Sequence, residues 1–235
     1  MKKIFLIITL FVSVICLAQR EKYMNLQGFE DKRFNWGYYL GVSNWDFKLD
    51  PITGLGTSGN KTTIDNKGGL GLSVGLMGMI NLTQNVDVRI EPGMHFVTRK
   101  LTFNNDNIPA SEQEVNVKST YLEIPLLVHF RGNRWNNVRP FIAAGGGYMR
   151  NLQSNENAED DNTQGTFRMK TNNFNWQGEA GVEIYFRHFK MTPSVKGIFV
   201  INNEIVPDNE TSANYWAGSI DGLRSRALMV SLKFE

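Results

Sequence analysis

Residues 121–130, Tyr-Leu-Glu-Ile-Pro-Leu-Leu-Val-His-Phe, alternate between apolar and mostly polar side chains. One parity is wholly apolar, whereas the other carries Glu123 and His129, with Leu127 as its apolar exception. Because successive side chains of a strand point to opposite faces, the pattern predicts a β-strand with one apolar face. A helix fits badly, since Pro125 lies mid-run and cannot donate an interior helical hydrogen bond. The fold therefore depends on whether that apolar face meets a protein core or lipid.

Six further segments show the same alternation and a seventh is Gly-rich but strand-like, so the sequence predicts eight strands and little helix. They cover residues 34–49, 69–82, 85–99, 138–150, 174–187, 189–201 and 223–234. In the first of them the apolar parity changes near Asn44, which predicts a β-bulge there. The glycines at 145–147 leave the two faces of their strand unassigned.

The connections between these strands alternate in length. Four of the connections are long and polar: residues 50–68, 100–116, 151–173 and 202–222. The other three are short: residues 83–84, 131–137 and 188. An up-and-down meander gives this alternation when one rim bears loops and the other bears turns. Bacterial outer-membrane barrels have long extracellular loops and short periplasmic turns, so both termini are predicted to lie on the periplasmic side.

Parity alone does not say whether the apolar faces point into a closed barrel or out of it. A soluble barrel places them inside, and a membrane barrel places them outside. The opposite faces here carry Gly, Ser, Asn and six mid-strand charges, an unusual filling for a soluble core. These charges are Arg89, Glu91, Glu123, Glu179, Glu183 and Lys196. We therefore predict an all-β, eight-stranded antiparallel up-and-down transmembrane β-barrel, with a soluble exported barrel or sandwich as the alternative.

Aromatic residues near the strand ends fit the interfacial girdles of such a barrel. They are Trp36, Trp45, Phe103, Phe130, Trp135, Tyr148, Phe174, Trp176, Phe189 and Phe234.

The amino terminus predicts export. Lys2 and Lys3 precede an apolar run over residues 4–17 and then Ala18, which is typical of a secretory signal peptide. A membrane anchor is the alternative, although the run is short for one. The predicted organisation is a signal peptide at 1–18, a periplasmic N-terminal extension at 19–33 and an outer-membrane barrel at 34–235.

Composition argues against a disulfide-stabilised protein and against a nucleic-acid-binding protein. The single cysteine, Cys16, lies in the signal peptide, so no disulfide is predicted in the mature chain. Removing Lys2 and Lys3 from the 25 basic residues leaves 23, which balance the 23 acidic residues. A net charge of zero argues against a nucleic-acid-binding protein.

The sequence gives no sign of a catalytic, cofactor or metal site. The three histidines lack the spacing of an HExxH metal motif. His95 is the one candidate general base, but a histidine held in hydrogen bonds is the favoured interpretation. The acidic segment 155–162 lacks the ligand spacing of a calcium loop. We therefore predict no catalytic residues, no metal ligands and no cofactor.

An eight-stranded barrel has an interior just wide enough to be filled by side chains. The six mid-strand charges are accordingly predicted to form a buried structural network rather than to line a channel. We expect the protein to pass no folded cargo and little ion current.

Several motifs resemble known barrel families. Three motifs resemble the small outer-membrane barrel family common in Bacteroidetes. They are Tyr121-Leu-Glu-Ile-Pro-Leu-Leu, Arg139-Pro-Phe-Ile-Ala-Ala-Gly-Gly-Gly and Gly181-Val-Glu-Ile-Tyr-Phe. Two other stretches are similar to the PorT family (also called SprT) of the type IX secretion system. One is residues 25–42 together with Asp46-Phe, and the other is residues 223–235. Glu30 before Asp31, and Glu235 after the terminal aromatic, depart from the usual forms.

This resemblance implies a bacterial outer-membrane protein of type IX secretion, and of gliding motility where that exists. It implies a role in exporting proteins that carry a C-terminal signal, and it brings no catalytic residues. Together with the expected filled lumen, this predicts an accessory or assembly component that acts through protein contact and not as a conducting pore. The expected partners are other type IX outer-membrane and periplasmic components, the lipid bilayer and lipopolysaccharide, but not nucleic acid. The alternatives are a small barrel for ligand binding, adhesion or envelope structure, and a barrel enzyme that depends on His95.

Overall fold

The computed structural model describes residues 23–51, 63–104, 113–159, 166–207, 216–217 and 220–235. The predicted signal peptide and the first residues of the predicted extension lie outside this described part. The strands are β1 (Phe34–Pro51), β2 (Thr63–Lys67), β3 (Gly69–Asn81), β4 (Val86–Ile90), β5 (Gly93–Asn104), β6 (Glu114–Arg131), β7 (Val138–Asn151), β8 (Asn172–Tyr185), β9 (Lys190–Val200) and β10 (Ile220–Phe234). Within these ranges no helix is long and apolar enough to cross a membrane.

The strands form a closed antiparallel ring. Each long strand pairs with its neighbours in sequence, and β1 closes the ring by pairing with β10. β2 and β3 make up one strand of the ring, and so do β4 and β5, which gives eight strands. The register of β4 against β6 continues unchanged into β5, and the break falls at Pro92, which has no N–H to donate. The predicted eight-stranded up-and-down barrel is confirmed.

The outer wall carries an apolar belt. On β6 the outward side chains of the belt are 37–57% exposed, whereas Glu123 and His129 on the inner face are almost fully buried. These outward residues are Leu122, Ile124, Leu126, Val128 and Phe130. Leu70, Leu72, Val74 and Leu76 extend the belt over β3, and Leu228, Val230 and Leu232 extend it over β10. Apolar side chains exposed in this number need lipid around them, so the wall faces the bilayer.

The two faces exchange character toward the long-loop end. Above Leu122 on β6 the outward side chains are polar, while Val115 and Val117 point inward and are buried. The inward residues at this level form one apolar cluster: Phe47, Leu101, Phe103, Val115, Val117, Phe167, Met169, Ile205, Trp216, Ala217, Ile220 and Leu223. This end of the barrel therefore projects from the bilayer and is built like a soluble barrel, with its core inside.

The predicted bulge near Asn44 is wrong. The register of β1 against β10 runs unbroken from Tyr38 to Asp50. The apolar parity changes because β1 leaves the bilayer there, so that Trp45 and Phe47 turn toward the interior while the outward side chains become polar. Both rings are almost fully buried. The parity change marks a membrane boundary rather than an irregular backbone.

A bulge lies instead between β2 and β3. The register against β5 shifts by one residue there, at Gly68. A Cβ on Gly69 would lie 1.9 Å from the carbonyl oxygen of Thr98, so glycine is required for this close approach of the two strands.

Other differences also come from the projecting end. β2 lies within the predicted loop 50–68, and β5 and β6 both extend into the predicted loop 100–116. Trp45 and Phe103 were predicted at the membrane interface, but both are fully buried inside the barrel. The sequence analysis ended these strands at the bilayer, whereas their pairing continues beyond it.

A charge placed in the belt is expected to destabilise the barrel. Leu126→Arg puts a guanidinium near the middle of the lipid-facing stretch of β6 and should cost about 2–4 kcal/mol. Asn116→Arg on the same strand, above the belt, is the matched control and should cost less than about 1 kcal/mol. Urea unfolding in lipid vesicles, followed by the gel mobility of folded and unfolded protein, measures both. Equal effects of the two substitutions would contradict the assignment of the belt.

Candidate functional site

The periplasmic part of the lumen holds a network of ion pairs. Arg89 donates to Glu183 at 2.9 Å and to Asp87 at 3.2 Å. Lys190 lies 3.0 Å from the Glu183 carboxylate and 2.8 Å from that of Glu235. All five side chains are buried, and β4, β8, β9 and the carboxy terminus bring them together.

A second network lies higher in the lumen. The Lys233 ammonium group lies 2.7 Å from a Glu179 oxygen and also binds Glu91. The Lys196 ammonium group donates to the other oxygen of Glu91 and lies 3.7 Å from Glu179. Two buried carboxylates thus meet two buried ammonium groups. The pairing offsets the large cost of removing isolated charges from water.

A third group joins histidine to carboxylate. His95 lies 2.8 Å from the Ser73 hydroxyl through Nδ1 and 2.9 Å from Glu123 through Nε2. Asn175 and Gln177 donate to the other oxygen of Glu123. The order Ser, His, Glu is that of a hydrolase triad, but these side chains are almost fully buried inside the wall. The histidine is held in hydrogen bonds, as the favoured interpretation has it, and the absence of catalytic activity stays a prediction.

The structure divides the six predicted lumen charges among these groups. Arg89 and Glu183 lie in the periplasmic network, Glu91, Glu179 and Lys196 lie in the middle one, and Glu123 lies apart with His95. Sequence analysis missed five members of the networks: Asp87, Lys190, Lys233, Glu235 and Arg131, whose guanidinium lies 2.9 Å from Asp87. The first three of these lie on inward-facing positions of strands, so parity was a sufficient signal for them.

One group of ligand-type atoms lies within the middle network. Glu91, His129 and Glu179 each place one such atom within 4.8 Å of the others, although the sequence predicts no metal site. The two carboxylates are bound by Lys196 and Lys233, which already supply positive charge at this position. The His129 ring stacks on Phe141 with the ring centroids 5.0 Å apart. The two carboxylates therefore belong to the charge network.

A polar layer separates the networks from the extracellular core. Arg99 donates to the hydroxyls of Ser119, Tyr121 and Ser225. Glu204, in the loop after β9, accepts from the Ser225 backbone N–H and is fully buried. Burial raises the pKa of the Glu204 carboxyl, against the opposing charge of Arg99. The apolar cluster lies beyond this layer and includes loop residues such as Met169 and Trp216.

The periplasmic mouth is covered by residues 23–33, which we call the cap. Asn25 donates from its backbone to Asn137 and from its side chain to the Tyr185 carbonyl. Glu30 lies 3.5 Å from Arg134 and 3.3 Å from Arg139, both near the turn between β6 and β7. The described part of the predicted extension is thus folded against the rim of the barrel.

Side chains fill the lumen at every level between the cap and the extracellular core. A closed ring with a lipid-facing belt and a filled, charged interior defines the class as a small transmembrane β-barrel. Residues 17–206 match the family described as outer membrane protein beta-barrel domain, and the chain belongs to that family. The protein is an outer-membrane β-barrel protein.

Comparison with solved structures finds other small outer-membrane barrels. Neisserial surface protein A is 9% identical with a TM-score of 0.41, covering 86% of this chain and 98% of its own. OprG from Pseudomonas aeruginosa is 14% identical with a TM-score of 0.40, covering 84% and 94%. AlkL, solved in lipid bilayers, is 13% identical with a TM-score of 0.44, covering 92% and 95%. No curated protein matches the sequence at a significant level.

Removing one charge from the middle network is expected to destabilise the barrel. Glu91→Gln leaves two ammonium groups facing one carboxylate and should cost about 3–5 kcal/mol. Glu91→Gln with Lys196→Met restores one carboxylate for one ammonium group and should recover most of that loss. Lys100→Gln, in an exposed pair with Glu114, is the control and should cost less than about 1 kcal/mol. Urea unfolding in lipid vesicles measures the three variants, and a double variant no more stable than Glu91→Gln would refute the pairing.

The filled lumen is expected to pass little current. A planar-bilayer recording of the purified barrel should show no large, stable conductance step, because charged networks and an apolar core obstruct the interior. A wide porin recorded under the same conditions serves as the positive control. Stable openings of porin size would show that the side chains do not block the path.

Proposed function

We propose that this outer-membrane barrel is an accessory or assembly component of the type IX protein secretion system, and of gliding motility where that exists. It acts through protein contact and not as the conducting pore. The observation that carries the second part is the filled lumen, which has charged networks in its lower half and an apolar core at its extracellular end. An obstructed barrel contributes its surfaces, since its interior has no room for a passing chain.

The first part is supported by the stretch that resembles the PorT family. Residues 25–33 of that stretch form most of the cap, and Asn25 and Glu30 make its contacts to the rim. The resemblance therefore falls on residues with a defined position at the periplasmic mouth. A cap in this position presents a fixed surface to periplasmic components of a secretion complex.

The candidate contact face lies beside the cap. A groove of about 630 Å³ runs between Phe29 and Lys32 of the cap and the aromatic side chains at the lower edge of the belt. These aromatic residues are Phe34, Trp36, Tyr38, Phe189 and Phe234. Asp31 and Lys32 are exposed on the cap. A partner that binds here contacts the cap and the wall together.

A deletion strain complemented with variants tests the proposal. The deletion should abolish secretion of cargo that carries a C-terminal type IX signal, and the wild-type gene should restore it. The exchange Asp31→Lys with Lys32→Asp keeps the net charge but reverses the charges on the cap, and it should restore secretion poorly. The exchange Lys100→Glu with Glu114→Lys, on the exposed extracellular pair, is the matched control and should restore secretion fully.

Affinity capture from solubilised outer membrane, read by mass spectrometry, gives the second measurement. Wild type and the Lys100/Glu114 variant should retain secretion components that the cap variant loses. A deletion strain that secretes type IX cargo normally would refute the proposal. Capture of a solitary barrel, together with an envelope or adhesion defect, would favour a structural or adhesive barrel instead.

A further inference from the structure

Four cations form an arc on the outer wall just above the belt. They are Lys67 on β2, Lys100 on β5, Lys118 on β6 and Arg150 on β7, which follow one another around the ring. All four point outward, and Lys67, Lys118 and Arg150 are exposed. We call this set the basic arc.

The register places the basic arc at one side of the barrel and close to the hydrocarbon edge. Arg150 pairs directly with Leu122, the uppermost belt residue of β6. Lys118 lies four residues above Leu122, about 13 Å along the strand, and less along the membrane normal because strands tilt. A lysine side chain is long enough to lower its ammonium group toward the membrane. The arc therefore lies at the level of the headgroups of the outer leaflet.

Three of the four cations of the arc have no ion-pair partner among the described residues. Lys67 stands directly opposite Lys100 across the β2–β5 pair, an arrangement that destabilises a sheet unless an anion lies between the side chains. Lys100 is paired with Glu114, but no described carboxylate lies within ion-pair distance of Lys67, Lys118 or Arg150.

The outward cations of β10 differ in this respect. At the same level on β10, Arg226 binds Asp46 and Arg224 lies 3.4 Å from Asp50. These two cations of β10 thus have carboxylate partners on β1, the adjacent strand. On β1, Lys48 lies opposite Arg224 and has no ion-pair partner among the described residues. Unpaired cations thus occur singly on β1 but in a group of three along the arc.

We propose that the basic arc binds the phosphate groups of a phosphorylated glycolipid of the outer leaflet, the lipid A part of lipopolysaccharide. The acyl chains would lie against the outward side chains of β5 and β6, which include Phe96 and Leu122, while the phosphates contact the cations above them. Each cation near an anionic membrane surface adds to the attraction, so several in a row favour a multiply charged headgroup. The site holds one lipid against a fixed side of the barrel.

Binding of purified lipids to the folded full-length mature barrel in detergent tests this inference. The probes are bisphosphorylated lipid A, the same lipid A after removal of its phosphates, phosphatidylglycerol and inorganic phosphate. Native mass spectrometry counts the bound lipids, and thermophoresis gives the dissociation constants. Wild type should bind phosphorylated lipid A at least tenfold tighter than the dephosphorylated form, with an affinity that falls as salt rises.

Two matched variants locate the site. The first is a triple variant in which Lys67, Lys118 and Arg150 are each replaced by Gln. It should weaken lipid A binding at least tenfold. The triple substitution of Lys48, Arg224 and Arg226 by Gln removes three cations from β1 and β10 and should change lipid A binding less than threefold. All six positions are on the outer wall, and the gel mobility of the folded form verifies that both variants fold.

Four outcomes overturn the inference. They are equal losses in the two variants, equal affinity for dephosphorylated lipid A, equal affinity for phosphatidylglycerol, and competition by millimolar inorganic phosphate that abolishes lipid binding. The third outcome indicates general attraction to anionic lipid, and the fourth indicates a site for free phosphate.

Discussion

A backbone inside hydrocarbon has to satisfy every N–H and C=O within the protein, because lipid offers no hydrogen-bond partner. The pairing of β1 with β10, from Tyr38 with Phe234 upward, meets this requirement where the two ends of the chain come together. Without it both strands would present an unpaired edge to lipid. Closure also separates an inner surface from an outer one, and this separation assigns every side chain of the wall to lipid, water or lumen.

The lumen follows from the small number of strands. Eight strands leave room for side chains but not for a water-filled channel, so charges placed inside must find partners in the protein. The two lower networks meet this condition with pairs such as Arg89–Glu183 and Lys233–Glu179. Buried pairs of this kind add less net stability than apolar packing would, but they penalise any shifted register that would leave a charge alone. The networks therefore favour one alignment of the strands.

Much of the fold was predictable from the alternation of side chains. Parity identified the belt on β6 and the inward position of Glu123, and the alternating connections gave the topology. The change of parity at Asn44 was wrongly interpreted as a bulge, because a single environment was assumed along the whole strand. In the structure β1 passes from lipid into water there. The partners inside the lumen were not predictable, because the contact of Lys233 with Glu91 depends on the tilt and stagger of strands far apart in sequence. The cap was missed because its rim contacts involve a polar segment without periodicity.

The projecting end of the barrel has a consequence for biogenesis. Lys48, Lys100 and Lys118 lie on the outer wall beyond the hydrocarbon core of the bilayer, yet the chain reaches the membrane from the periplasm. These side chains must cross the hydrocarbon before they reach the cell exterior, and each lysine at the midplane costs about 2–4 kcal/mol. Spontaneous insertion into pure lipid therefore faces a high kinetic barrier, and rapid maturation requires an insertase that thins or parts the bilayer while the strands pass through.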